Sequence, residues 1–328
     1  MNLLYMNIIL YSMKRMFLMK NPELFQGEKY LSTNKSYFEG WYFKISSDNL
    51  SIAFIPGINI NSSEKKTFIQ IITNTNSYYV NYDINEFEYS FDPFYVRIGK
   101  NFFSKDAIHV EIEDDEQNLT IYGDVKYFNI KNIGTNDLYP NIMGPFSYVP
   151  FMECNHAILS MKSDVTGFVD INNNKINFNE ETGYIEKDWG CSFPKSYIWC
   201  QGNNFVNSSA SFMLSIAIIP FKIFNFRGII CSLIIGDKEY RFATYNNTKI
   251  VKYDIDNNLV DIILKKGNYF LEINSKCDTS LKLIAPVKGE MKKDILESIS
   301  AYISITLKKD NKVIFSDTSK NCGLEIVV

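Results

Sequence analysis

The sequence predicts an all-β protein, built as two packed antiparallel barrels or sandwiches with few helices. Three observations carry that expectation. From Asn49 onward, apolar and polar residues alternate with a period of two far more often than with the 3.6 of a helix. The alternating runs are short, rich in β-branched and aromatic residues, and split by Asn, Asp, Gly and Ser. Tyr (21) and Phe (25) are plentiful, which suits pleated surfaces and apolar ligand pockets alike.

Taken in order, "NLSIAFIP", "TFIQIIT", "FYVRIG", "AIHVEIED" and "NLTIYGDVKYF" each read as a strand. "GFVDINNNKINF" reads as a hairpin turning at Asn172 to Asn174. Further hairpins turn at Gly236-Asp237, at Lys266 to Asn268 and at Lys309 to Asn311. Only "KKDILESIS" (Lys292 to Ser300) and the N-terminal segment have helical spacing. The strands fall into two sets, Tyr37 to Phe178 and Tyr184 to the C-terminus. The expected division is therefore an extension over 1–20, a first β domain over 21–180 and a second over 181–328. No low-complexity linker separates the halves, so they are expected to share an interface, a common place for a pocket.

A chain of 328 residues with 46% hydrophobic content is long enough for two cores. Its net charge is −3 and its basic residues are dispersed, which argues against nucleic acid as a partner. No phosphate-loop, dinucleotide-binding, nucleophile-elbow or zincin motif occurs. Six cysteines without a CxxC pair, and only two histidines, point to no metal site and to reduced thiols in a cytoplasmic setting. The N-terminal "MNLLYMNIILYSMKRMFLMK" has an apolar stretch too short to span a bilayer, and its charges follow that stretch instead of preceding it. It reads as an upstream start, with Met16 or Met19 the natural first residue. An amphipathic segment in peripheral membrane contact is the alternative.

Three stretches carry a family resemblance: "YFEGWYFK" (Tyr37 to Lys44), "GYIEKDWGCSFPKSYIWCQGNNF" (Gly183 to Phe205) and the tail from "LIAPVKGE" through "SKNCGLEIV". They resemble the tocopherol cyclase family, whose pattern joins an EGWY/F block to a central EK-[ND]-WG-x-x-FP block and a terminal hairpin. "PFMEC" (Pro150 to Cys154) is similar to its Pro-x-x-Glu segment. The resemblance spans the chain from Asn21 onward. It implies a lipocalin-like two-domain β architecture, related to carotenoid hydratases and to some pericyclases. It also implies an isomerase-type ring closure of a prenylated hydroquinone without redox cofactor or metal. Asp188 stands where the plant pattern has Asn, and Cys191 and Cys200 have no counterpart there. These two cysteines read as packing thiols able to approach each other.

All three tryptophans lie near acids. In a strand Glu186 and Asp188 share one face and Lys187 takes the other. A carboxyl in an apolar, tryptophan-lined pocket keeps its proton and can protonate an alkene, while indole faces steady the cation. On this reading Glu186 or Asp188 is the donor, and Trp41, Trp189 and Trp199 are pocket walls. The structural alternative caps a strand end with Asp188 and pairs Glu186 with Lys187 or Lys195. Glu39 is either a second carboxylate or an anchor accepting backbone N–H bonds. His156 is a base toward a phenol or a hydrogen-bonded structural residue. Glu153 follows a loop (144–151) that could lid the pocket. Trp199, Gln201 and Asn203 share one strand face and orient a ligand or satisfy backbone groups. His109 belongs at the surface. Two functions remain open: an enzyme of acid-initiated cyclisation or hydration on a hydrophobic prenylated or polyene molecule, and a lipocalin-like carrier of such a molecule. A structural envelope-associated protein is a weaker third.

Overall fold

The structure is a computed structural model and describes residues 14, 16–47, 50–150, 152–221, 224–256 and 258–328. Among the described residues strand makes up 67% and helix 7%, so the fold is all-β, in two lipocalin-like antiparallel halves. The first sheet holds β1 (Tyr37–Ser46), β2 (Ser51–Ile60), β3 (Lys65–Thr73), β4 (Ser77–Asp83), β5 (Phe87–Phe91), β6 (Phe94–Ile98), β7 (Asn101–Phe103), β8 (Ala107–Asp114), β9 (Leu119–Lys131), β10 (Cys154–Ile171) and β11 (Asn174–Gly190). The second holds β12 (Tyr197–Gly202), β13 (Ser211–Phe221), β14 (Phe224–Ile235), β15 (Lys238–Ala243), β16 (Lys249–Asp256), β17 (Leu259–Lys266), β18 (Tyr269–Lys276), β19 (Leu281–Val287), β20 (Glu290–Lys309) and β21 (Lys312–Val327).

The turns follow from backbone chemistry. Asn172 and Asn173 join β10 to β11 with φ of 52° and 64°, and Asp310 and Asn311 join β20 to β21 with 50° and 63°. Such left-handed pairs favour Asn and Asp, whose short polar side chains tolerate the conformation. Each sheet returns a late strand to an early one: β11 pairs with β1, and β21 with β12.

Each sheet curls around its own apolar core, and a third cluster fills the space between them. Tyr42, Tyr184, Tyr197, Trp199, Met213 and Ile295 belong to that third cluster. The strands meeting there are covered on both faces: β12 is buried at every position and β1 at nine of ten. By contrast β9 alternates buried and exposed residues along most of its length, as a strand with one wet face should.

The expected helix at Lys292 to Ser300 is a correction: these residues lie within β20. Ile295, Glu297 and Ile299 turn inward while Leu296 is exposed. Pairing with β19 on one side and β21 on the other overrides the local helical spacing. The β19–β20 hairpin also crosses to the first sheet. The Gln70 side chain donates to the Ile284 carbonyl (3.0 Å) and accepts from the Ile284 N–H (2.8 Å), so an amide side chain stands in for a strand partner.

Residues 16–20 are helical; Leu24 is buried, and Phe25 is buried within the first core. The N-terminal stretch read as an upstream start, or alternatively as a segment in membrane contact, lies mostly outside the described residues. Among the described residues no helix is long and apolar enough to cross a membrane.

Candidate active site

Strand β11 builds the site, because alternation sends its consecutive side chains to opposite faces. Register with β1 pairs Tyr42 with Glu186, Trp41 with Lys187, Gly40 with Asp188 and Glu39 with Trp189. Phe38, Gly40, Tyr42, Glu186 and Asp188 therefore line a cleft between the two sheets. Glu39, Trp41, Lys187 and Trp189 face the other way, into the first core.

On that inner face Lys187 Nζ lies 2.5 Å from Glu39. It also donates to the carbonyls of Pro22 (2.7 Å) and Leu24 (2.6 Å). The Trp41 and Trp189 rings flank it at 4.7 and 5.1 Å. Glu39 accepts the Gln26 N–H at 2.9 Å and the Tyr37 hydroxyl. Burial pushes the Glu39 carboxyl up and the Lys187 ammonium down, and their mutual attraction opposes both shifts. Glu39, Trp41 and Trp189, all candidates from sequence, thus stand behind the cleft and not in it. Trp189 instead joins Glu153 in lining a second cavity, of about 620 Å³, beside the N-terminal segment. The Glu153 residue is exposed, and its carbonyl accepts the Cys191 and Ser192 N–H groups.

On the cleft face Glu186 is 5% exposed. It accepts the Tyr184 hydroxyl at 2.5 Å and the Trp199 indole N–H at 3.1 Å. His156, from β10, places Nδ1 at 2.9 Å from Asp188 and Nε2 at 3.4 Å from Glu186. That second contact is too long to satisfy the buried Nε2. Burial raises Glu186 to about 7, with Asp188 adding to the rise and His156 opposing it. For His156 burial acts downward, but the Asp188 and Glu186 carboxylates outweigh it and raise the imidazole to about 9. The cavity volume is about 170 Å³, and Phe38, Phe68, Phe146, Phe193 and Phe226 are among its walls. A cavity near 150 Å³ takes one benzene ring, so this one encloses a head group of that order.

The ligand atoms of His156, Glu186 and Asp188 lie within 4.8 Å of one another, which an ion could bridge. The flanking carboxylates raise the His156 imidazole to about 9, so an ion bound there would have to displace its proton. The cluster thus has the groups for proton handling and the atoms for ligation alike.

Trp199 lines the cleft; Gln201 shares its β12 face and Asn203 lies just past the strand's end, and neither is among the cleft's lining residues. Gln201 accepts from Lys44 Nζ at 3.1 Å while its own Nε2 is buried without a partner. Asn203 donates to the Gly183 carbonyl at 2.8 Å. All six cysteines are free thiols, and the Cys200 thiol neighbours Cys322 electrostatically.

Sequence reasoning missed half of the acids. Glu297 and Glu325 also line the cleft, from β20 and β21. The helical reading of 292–300 concealed Glu297. Glu325 had a signal in the glycine two residues before it. A Cβ on Gly323 would meet the Trp199 ring at 2.5 Å, and glycine inside a strand marks such a close approach.

The chain matches the "Tocopherol cyclase-like" family over residues 132–327. It is 31% identical over 68 residues to a rice (Oryza sativa subsp. japonica) protein named "Probable tocopherol cyclase, chloroplastic". That match covers 21% of this chain and 14% of the rice protein's length. Among solved structures, CghA with Sch210972 superposes with a TM-score of 0.56 at 7% identity, covering 89% of each chain. A further CghA crystal structure gives 0.52 at 6% identity, covering 89% of this chain and 88% of that one. These likenesses concern the fold alone. With its central block and the whole of its second sheet inside the matched region, the chain belongs to the tocopherol cyclase-like family.

Proposed function

We propose that the protein is a cofactor-independent enzyme that protonates a carbon–carbon double bond of a hydrophobic prenylated or polyene substrate, leading to ring closure or hydration. The observation that carries this is Glu186. It is a carboxyl raised to about 7 by burial, held by Tyr184 and Trp199, and facing an apolar cleft. A carboxyl in such surroundings is protonated in a substantial share of molecules near neutrality and can give that proton to an alkene. The Trp199 indole, fixed through its N–H, stands beside the proton donor where positive charge would develop. His156 and Asp188 act on Glu186 through their charges, His156 lowering and Asp188 raising its hold on the proton. Family membership supports the cyclase or hydratase class, and the ring-sized cavity supports a cyclic head group. The six free thiols fit a reducing compartment, and we place the activity in the cytoplasm.

The test is incubation with a geranylated hydroquinone and with a linear polyene. Ring closure changes retention without changing mass, and hydration adds one water. Glu186→Gln should keep the fold and ligand affinity while lowering turnover at least about 100-fold. A carrier would return both compounds unchanged, and undiminished turnover in both Glu186→Gln and Asp188→Asn would refute the assignment.

A further inference from the structure

Protonating an alkene is half of an addition; the incoming hydroxyl must also lose a proton. The opposite wall of the cleft holds a second acidic group. Glu297 on β20 and Glu325 on β21 are directly paired in register, 1% and 9% exposed, and both line the cavity. The Tyr42 hydroxyl donates to Glu297 Oε1 at 2.6 Å, and the Tyr197 hydroxyl to Glu325 Oε2 at 2.5 Å. The cations that act on them, Lys44 on Glu297 and His156 on Glu325, do so through their charge. Burial and the neighbouring Glu325 charge raise Glu297, and Lys44 near Glu297 and His156 near Glu325 offset this only in part, so the pair favours one shared proton over two charges. Glu325 is also the register partner of Trp199, whose indole N–H bonds to Glu186. The two acidic groups thus flank one tryptophan.

We infer that the Glu297–Glu325 pair is the hydroxyl-binding and proton-accepting subsite of the cleft, with Glu325 the acceptor and Glu297 the holder of the shared proton. This rests on the cyclase or hydratase reading. The step balances. The Glu186 proton and the alkene π pair form a C–H bond, leaving a cation on the adjacent carbon. The oxygen of a phenol or a water forms the C–O bond to that carbon, and its proton passes to Glu325. The substrate is isomerised or hydrated, and the enzyme has moved one proton from Glu186 to Glu325, which returns by exchange with solvent. Tyr197 and Glu297 supply hydrogen bonds to the acceptor. Burial raises Glu297 well above the ordinary carboxylate range and Glu325 to about 7, in a field that includes Asp188 and His156. Lys44 and Tyr42, on β1, face the pair through Glu297.

The probes are a geranylated hydroquinone and geranylated benzene, which lacks both hydroxyls; binding is followed by tryptophan fluorescence. The wild type should prefer the hydroquinone by about tenfold or more. Glu325→Gln should cut the preference to within about twofold, whereas Glu186→Gln should keep it. In Glu186→Gln the preference should fade on acidification through about pH 7, where Glu325 takes a proton. That titration decides the matter if Glu325→Gln does not fold. No preference in the wild type, a preference surviving in folded Glu325→Gln, or one insensitive to pH in Glu186→Gln overturns the inference. Absence of any product from the wild type, with these binding results intact, would instead count against the proposed reaction.

Discussion

Gly40 stands directly opposite Asp188 in the β1–β11 ladder, so β1 offers no side chain at the position across from that acid. A Cβ added at Gly40 would meet nothing closer than the Pro56 carbonyl at 3.8 Å, an ordinary contact. The space in front of Asp188 is therefore cleft. Gly40→Val should fold with a stability change within about 1 kcal/mol yet bind a geranylated hydroquinone at least about tenfold more weakly. Thermal melting and fluorescence titration together check both halves of that outcome.

The ion pair behind the sheet should behave differently. Lys187→Met leaves Glu39 buried without its cation and should cost about 3–5 kcal/mol. Glu39→Leu combined with Lys187→Met should recover part of that loss, though the Pro22 and Leu24 carbonyls remain without their donor. Urea denaturation measures the difference. Turnover per folded molecule should change little, since both side chains point away from the cleft.

Stability should fall as pH rises from about 5 to 8. Burial holds the Glu186 proton to about 7 in the folded chain, above the ordinary 4.5. The folded state binds more protons across that window, so its advantage is complete below 4.5 and gone above 7. The carboxylates beside His156 overcome burial and carry it from 6.5 to about 9, and that contribution is lost as pH rises through 9. Lys44, lowered by burial from 10.5 to about 8, works in reverse and only above pH 8. Melting temperatures across this range should decline, more shallowly in Glu186→Gln.

The hairpin tie should govern access to the cleft. Gln70→Leu removes both bonds to Ile284 and should cost roughly 1–3 kcal/mol in pairing. Faster hydrogen exchange at the Ile284 amide and a shorter ligand residence time are the expected readouts; unchanged exchange would show that other contacts secure the hairpin.

Elemental analysis should find no metal at stoichiometric level in the purified protein. Zinc or iron at about one per chain would reassign His156, Glu186 and Asp188 as ligands.

Much of the fold was legible because hairpin turns are local. Gly236-Asp237 and Asp310-Asn311 announce themselves by residue type alone. The Glu186/Asp188 face was equally legible, since alternation within one strand is a local rule. What the sequence concealed depends on pairing between distant strands. Nothing near Trp41 tells whether its face meets a core or a cleft; the β11 register and the second sheet decide that. His156 joins Asp188 across 32 residues. Glu297 was hidden because "KKDILESIS" places apolar residues at helical spacing, and only its neighbours β19 and β21 make it a strand.

The bond from Tyr42 to Glu297 joins positions 255 residues apart. Contacts of such separation carry the largest loop-closure cost and slow the steps that need them. The hairpins of each sheet can form first, and the cleft can close only once both sheets exist. Catalytic competence should therefore be the last property gained in refolding and the first lost in partial unfolding, appearing well after the strand signal has reached its native value.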